Sequence, residues 1–203
     1  MPDTSLLHAQ DDLALLHSFF KGNSAAFTLI YNKYANDLMA YGTGWGIDRE
    51  TLKDAIQDVF YKLYTNRKSF EHTKNLKLYL IRSLKNRILD LRKTSIETVS
   101  IDNIEFTIQP MVTDTLVEEE DRKTIEEQIE FYMNLLTSRQ REAIYLRYID
   151  EMDYEEIAEI LDMTAPAVRK LVCRGIARLR MESLNYLPLY LLLLELGNSL
   201  KPS

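Results

Sequence analysis

The sequence holds a single cysteine, Cys173, which excludes an internal disulfide. Its three histidines, His8, His17 and His72, have no Cys or His neighbour at metal-ligand spacing. Glycine and proline are scarce, six and five in 203 residues, and no alternating apolar–polar run is bounded by turn signals, which excludes a β-rich fold. No phosphate-binding glycine loop appears and no nucleophile–base pair can be assembled, so no enzyme activity, cofactor or metal is expected. No export signal opens the sequence, and no apolar run reaches the ~20 residues of a bilayer span, so a cytoplasmic chain without membrane insertion is expected.

What remains is Leu, Ile, Glu and Lys at helical spacing. The expected fold class is all-α: two small helical domains joined by a linker, the C-terminal one containing a helix-turn-helix. A net charge of −6 is unpromising for a nucleic-acid binder until the charge is located. Residues 62–93 carry ten Lys/Arg against Glu71 and Asp90, whereas 95–136 carry eleven Asp/Glu against Arg122 and Lys123. The average therefore hides two surfaces of opposite sign.

The stretch 136–180 organises the chain. Thr137 with Gln140 makes a capping box that starts one helix, and Asp153 with Glu156 repeats the signature for a second. The second helix carries Ile157, Ala158, Ile160 and Leu161, with Ala158 as the small residue at a close crossing. A turn at 162–164 follows, where Asp162 stands at the left-handed position that glycine usually takes. Thr164 caps the third helix and Pro166 falls in its first turn, where a missing N–H is harmless. Val168, Leu171, Val172, Gly175, Ile176 and Leu179 form its apolar stripe. Arg169, Lys170, Cys173, Arg174 and Arg178 leave the other face basic, as a helix entering the DNA major groove requires. An ordinary helical hairpin is the bland alternative, but caps, small residue, turn and basic face agree.

The N-terminal half reads as four helices. Residues 11–21 place Leu13, Leu16 and Phe20 inward, and Gly22 stops them. Ser24 is expected to cap a second helix with Phe27, Ile30, Tyr31, Tyr34 and Leu38 on one face. Gly42, Gly44 and Gly46 bracket a turn around Trp45, a core anchor. Asp48 caps a third helix whose Leu52, Ala55, Ile56, Val59, Phe60 and Leu63 are buried, leaving Asp54, Gln57, Asp58 and Lys62 on the other face. After a polar loop, a fourth helix over 76–93 turns Leu80, Leu84, Ile88 and Leu91 to the core. Tyr79, Arg82, Ser83, Asn86 and Lys93 lie opposite; such a stripe of cations, an aromatic and an amide suits single-strand binding.

These strings carry a resemblance. LTSRQREAIYLRY, YEEIAEIL and AVRKLVCRGIARLR, in that order, resemble the C-terminal DNA-binding domain of bacterial sigma factors. A similar helix-turn-helix ends LuxR-type regulators, so the N-terminal half decides. There, LKDAIQDVFYKLY is similar to the sigma helix that docks on the clamp helices of the largest polymerase subunit. NLKLYLIRSLKNRILDLRK is similar to the helix that recognises the downstream (−10) promoter element as it melts. With only these two domains the layout resembles the extracytoplasmic-function (ECF) group.

The resemblance implies core RNA polymerase, promoter DNA and an anti-sigma factor as partners. It assigns Asp54, Gln57, Asp58 and Lys62 to polymerase docking, and Thr164, Arg169, Lys170, Arg174 and Arg178 to the upstream (−35) element. Phe70, Asn75, Tyr79, Arg82, Asn86 and Lys93 go to the single-stranded −10 element, with Phe70 and Asn75 as walls for a flipped-out base. The expected domains are 1–93, a linker at 94–115, 116–182, and an apolar extension at 183–203. The linker contains Pro110 and no helical period; threading through the polymerase toward the RNA exit channel and serving as a plain soluble spacer both remain open. Tyr186, Leu187 and the run 189–196 are too apolar to leave in water, so the extension is expected to pack on this chain's own helices, or else on a second copy. The competing functional readings are a free-standing helix-turn-helix regulator and a sigma-like adaptor that binds proteins only.

Overall fold

Local capping chemistry sets where most of the helices begin. The computed structural model describes residues 14–66, 75–95, 105–108 and 119–183; among these there are eight helices and no strand. The chain divides into two compact units, Met1–Asn103 and Ile104–Ser203.

In the first unit α1 covers 14–20, α2 Ser24–Thr43, α3 Arg49–Thr65 and α4 Leu76–Ser95. Gly22 takes φ 95°, which reverses the chain after α1 and delivers Asn23, not Ser24, to the cap position of α2. The Asn23 carboxamide oxygen accepts from the Ala25 N–H at 3.0 Å, while its Nδ2 donates to Ser18 Oγ at 3.1 Å. Asp48 caps α3 by accepting from the Thr51 N–H at 2.9 Å. Hydrogen bonds from the Thr51 side chain and N–H hold the Asp48 carboxyl below its ordinary value of 3.8. Asn75 caps α4, accepting from the Leu78 N–H at 2.9 Å.

The three long helices pack on one another, and all six expected apolar positions of α3 are buried. Two details of the core differ from the expectation. Phe19 rather than Phe20 is the buried aromatic of α1, its ring 5.5 Å from Phe27, because α1 approaches the bundle through the 16/19 edge. Gly42 is not a turn residue; it lies in the last turn of α2, where any side chain would overlap Leu52 of α3. Gly46, at φ 63°, makes the actual turn, and Trp45 before it is buried.

The second unit contains α5, Glu119–Asn134; α6, Ser138–Tyr148; α7, Tyr154–Leu161; and α8, Ala165–Ser183. Both capping boxes form, Thr137 with Gln140 and Asp153 with Glu156. Helices α6 and α7 both pack on α8. Helix α6 packs tightly on α8 at Gly175, where an added Cβ would come within 2.8 Å of Ile144 Cδ1.

Residues 105–108, read from sequence as part of the linker, are anchored to this unit. Phe106 is fully buried with its ring 5.5 Å from Tyr145, and its N–H donates to Ser138 Oγ at 2.7 Å. Arg141, 4% exposed, holds the same segment from below. Its Nε donates to Phe106 O at 2.6 Å, Nη1 to Met133 O at 3.0 Å, and Nη2 to Glu105 Oε2 at 2.7 Å. A buried guanidinium is thereby fully directed, joining the connector to α5 and α6.

Candidate nucleic-acid interface

The helix-turn-helix is built from α7 and α8. Asp162 closes α7 in the left-handed conformation, φ 51° and ψ 50°, and Met163 N–H donates to Ala158 O at 3.0 Å. Asp tolerates this conformation better than most residues, which is how the turn forms without glycine. Thr164 precedes α8 at its cap position and its carbonyl accepts from Val168 N–H at 3.0 Å. Val168, Val172, Gly175 and Leu179 are buried against α6 and α7, while Leu171 and Ile176 flank them half-buried. With that stripe inward, Arg169, Lys170, Cys173, Arg174 and Arg178 are all exposed.

Arg169 is oriented by a contact the sequence reading missed. Its guanidinium lies 5.0 Å from the ring centre of Tyr154, the first residue of α7, and that of Arg147 lies 5.1 Å from the same ring. Arg147 in turn donates to Met152 O at 2.7 Å. Two cations and a ring thus tie the end of α6 and the start of α7 to the first turns of the basic helix.

In the first unit, the α4 stripe forms as expected: Arg82, Asn86 and Lys93 are exposed, with Tyr79 and Ser83 half-buried between them. Asn75 spends its side-chain oxygen on the α4 cap, and Phe70 lies outside the described residues. Several cations counted from sequence as surface charge hold the fold instead. Lys77 pairs with Asp37 at 3.6 Å, Lys85 lies 5.5 Å from the Trp45 ring, Arg87 pairs with Asp58, and Arg92 donates to Trp45 O.

On α3, Asp54, Gln57 and Lys62 are exposed, whereas Asp58 is half-buried and engaged by Arg87. Tyr61, 67% exposed, lies on the same face, one turn beyond Gln57 and Asp58. Its three-to-four spacing from them was the signal that could have found it. Among the described residues no group of His, Cys, Asp or Glu could hold a metal ion, and no helix is long and apolar enough to cross a membrane.

Known proteins share this arrangement. The family model for sigma-70 region 2 matches residues 30–95, and that for sigma-70 region 4 matches 126–179, together more than half of the chain. The chain is 29% identical over 153 residues to the ECF RNA polymerase sigma factor SigM of Bacillus subtilis, covering 74% of this chain and 91% of the relative. It is 26% identical over 172 residues to the ECF RNA polymerase sigma-E factor of Haemophilus influenzae, covering 81% and 90%. Its fold is similar to that of CnrH solved with the cytosolic domain of CnrY, at TM-score 0.59 and 20% identity over 84% of this chain and 95% of that one. It is also similar to the sigma factor RpoE of Bartonella quintana solved with the anti-sigma factor NepR, at TM-score 0.54 and 23% identity over 76% and 94%. The two family matches fall in order along the chain and the curated relatives are ECF sigma factors, so the chain belongs to the sigma-70 family, in its extracytoplasmic-function group.

Proposed function

We propose that this chain binds core RNA polymerase and directs it to promoters, without catalysing a reaction itself, in the cytoplasm. The observation that carries this reading is the division of labour within one chain. A capped helix-turn-helix presents Thr164, Arg169, Lys170, Arg174 and Arg178 for duplex DNA, while a separate unit presents two further faces on adjacent helices.

In this reading α8 enters the major groove of the −35 element, where side chains near its start reach base edges and later cations meet phosphates. The α4 stripe of Tyr79, Arg82, Asn86 and Lys93 takes the melted −10 element, cations on phosphates and planar groups on bases. Asp54, Gln57, Asp58 and Lys62 of α3, with Tyr61 added, dock on the clamp helices of the largest subunit. The similar fold of RpoE solved with the anti-sigma factor NepR supports an anti-sigma factor as a further partner. The domains would run 1–93 and 116–182, with the 94–115 connector between them held to the second domain at residues 105–108.

The test is transcription by core polymerase supplemented with this protein, across a library of promoter sequences. Specific initiation that requires the protein and selects two separated elements is the expected result. Operator binding without any polymerase-dependent transcription would instead make it a free-standing regulator.

A further inference from the structure

We propose that an apolar groove on the second unit is the seat of this chain's own residues 188–196. Tyr148 at the end of α6 and Tyr154 at the start of α7 form one wall of the groove. Val172, Ile176 and Ala177 of α8 form the other, and Arg180 closes the far end. Tyr148 is 54% exposed and Met181, one residue past the groove, 75% exposed, so large apolar surface faces water here. Taking that apolar surface out of water favours an apolar occupant.

The occupant is named by connectivity, length and composition. Residues 188–196 contain one tyrosine, six leucines and a single charge, Glu195, after an initial proline suited to a helix start. As a helix the nine residues would measure about 13 Å, against about 12 Å between positions 172 and 180 of α8 at the same rise. The four residues 184–187 extend to at most about 14 Å, within the ordinary length of a helix–helix connection. Folding back in this way runs the segment antiparallel to α8 and brings Glu195 toward the basic turns that hold Arg169 and Arg174. A tether this short sets an effective concentration in the millimolar range, above that of a second copy in dilute solution.

The seat has a consequence for DNA. Tyr154 lines the groove and also carries the Arg169 guanidinium at 5.0 Å, so a seated segment presses on the residue that orients a proposed DNA contact. That consequence rests on the proposed −35 reading; the seat itself does not.

Cys173 also lines the groove and is the only cysteine, so the natural thiol reports occupancy. The test compares thiol labelling by a nitrobenzoate disulfide in the full-length protein and in Leu189→Glu/Leu193→Glu, two changes on the face opposite Glu195. A segment seated nine-tenths of the time leaves the thiol open one-tenth of it, so the unmodified protein should react about tenfold more slowly. The difference should be independent of protein concentration and vanish in denaturing urea. Equal native rates would overturn the proposal, and so would protection that grows with concentration, which would make a second copy the occupant. In parallel, the double variant should bind −35 duplex more tightly. Thiol protection with unchanged duplex affinity upholds the seat and rejects the DNA reading of Arg169.

Discussion

Arg87 of α4 grips one carboxylate oxygen of Asp58 on α3, 29 residues away, through Nε at 2.9 Å and Nη2 at 2.7 Å. The two side chains are 35% and 46% exposed, so the pair contributes at most about 1 kcal/mol to stability. Its importance is positional, since it ties the proposed docking helix to the proposed −10 helix.

A charge reversal at Asp58 therefore does two things at once, unlike one at Asp54. Asp58→Arg should lower the urea midpoint by setting a second cation against Arg87, whereas Asp54→Arg should leave it in place. The swapped pair Asp58→Arg/Arg87→Asp should restore the midpoint but not capture of core polymerase in a pull-down. Capture recovered by the swap would mean that Asp58 acts only through the fold.

The features legible in the sequence were those written within one or two helical turns. The buried stripe of α3 follows from a 3.6-residue period, and both capping boxes from residues three apart. Asp162 was readable because the turn required a left-handed residue. What escaped depends on partners far along the chain. Phe106 and Arg141 are 35 residues apart, and a connector without helical period gives no local sign that its single phenylalanine is a core residue. Lys77, Lys85, Arg87 and Arg92 resemble surface charge until α2 and α3 are packed beside them. The Tyr154 ring beneath Arg169 likewise requires the crossing of α7 over α8.

Arg141 should be the costliest single polar residue to remove from the second unit. Its loss takes the guanidinium donor from the Phe106 and Met133 carbonyls, at about 1–3 kcal/mol for each left unsatisfied, and frees the connector, while Glu105, 68% exposed, returns to water. Arg141→Lys should recover little, because a point ammonium cannot reproduce three directed bonds. Urea unfolding of Arg141→Ala, Arg141→Lys and Ser138→Ala orders these effects, with Ser138→Ala the smallest. Equal midpoints for Arg141→Lys and the unmodified protein would contradict the assignment.

The left-handed Asp162 predicts a stabilising substitution. Asp162→Gly removes the Cβ conflict at φ 51° and should gain up to about 1 kcal/mol, whereas a β-branched residue there should lose more than that. Thermal unfolding measures both signs. Duplex binding should survive the glycine change, because the turn geometry is kept.

The Asp48 cap predicts an acid dependence. Its carboxyl is held below 3.8 by the Thr51 hydrogen bonds, so the ionised form is favoured in the folded chain. The stabilisation from that preference is complete above the unfolded value and is lost as pH falls through the lower folded value. Asp48→Asn keeps an oxygen acceptor but does not titrate. The stability difference between the two proteins should therefore be constant above about pH 5 and shrink below the unfolded value. A difference that grows as pH falls would mean that another group dominates.

Arg169 is presented to DNA from a fixed direction. Its guanidinium rests on Tyr154, which also receives Arg147, so its direction is set by the ring rather than by the flexible stem alone. Tyr154→Phe keeps a ring and should leave promoter affinity unchanged. Tyr154→Ala should weaken −35 binding as Arg169→Ala does, and the two together should cost little more than either. If Arg169 makes a bidentate guanine contact, its alanine variant loses about 1–3 kcal/mol and relaxes preference at one base pair. Lys170→Ala, Arg174→Ala and Arg178→Ala serve as phosphate-contact references, each weakening all sequences and lowering the salt slope by about one. The measurements belong in the Leu189→Glu/Leu193→Glu background, where occupancy of the neighbouring groove does not vary. Strict additivity of the Tyr154 and Arg169 changes would show that the ring does not position the arginine.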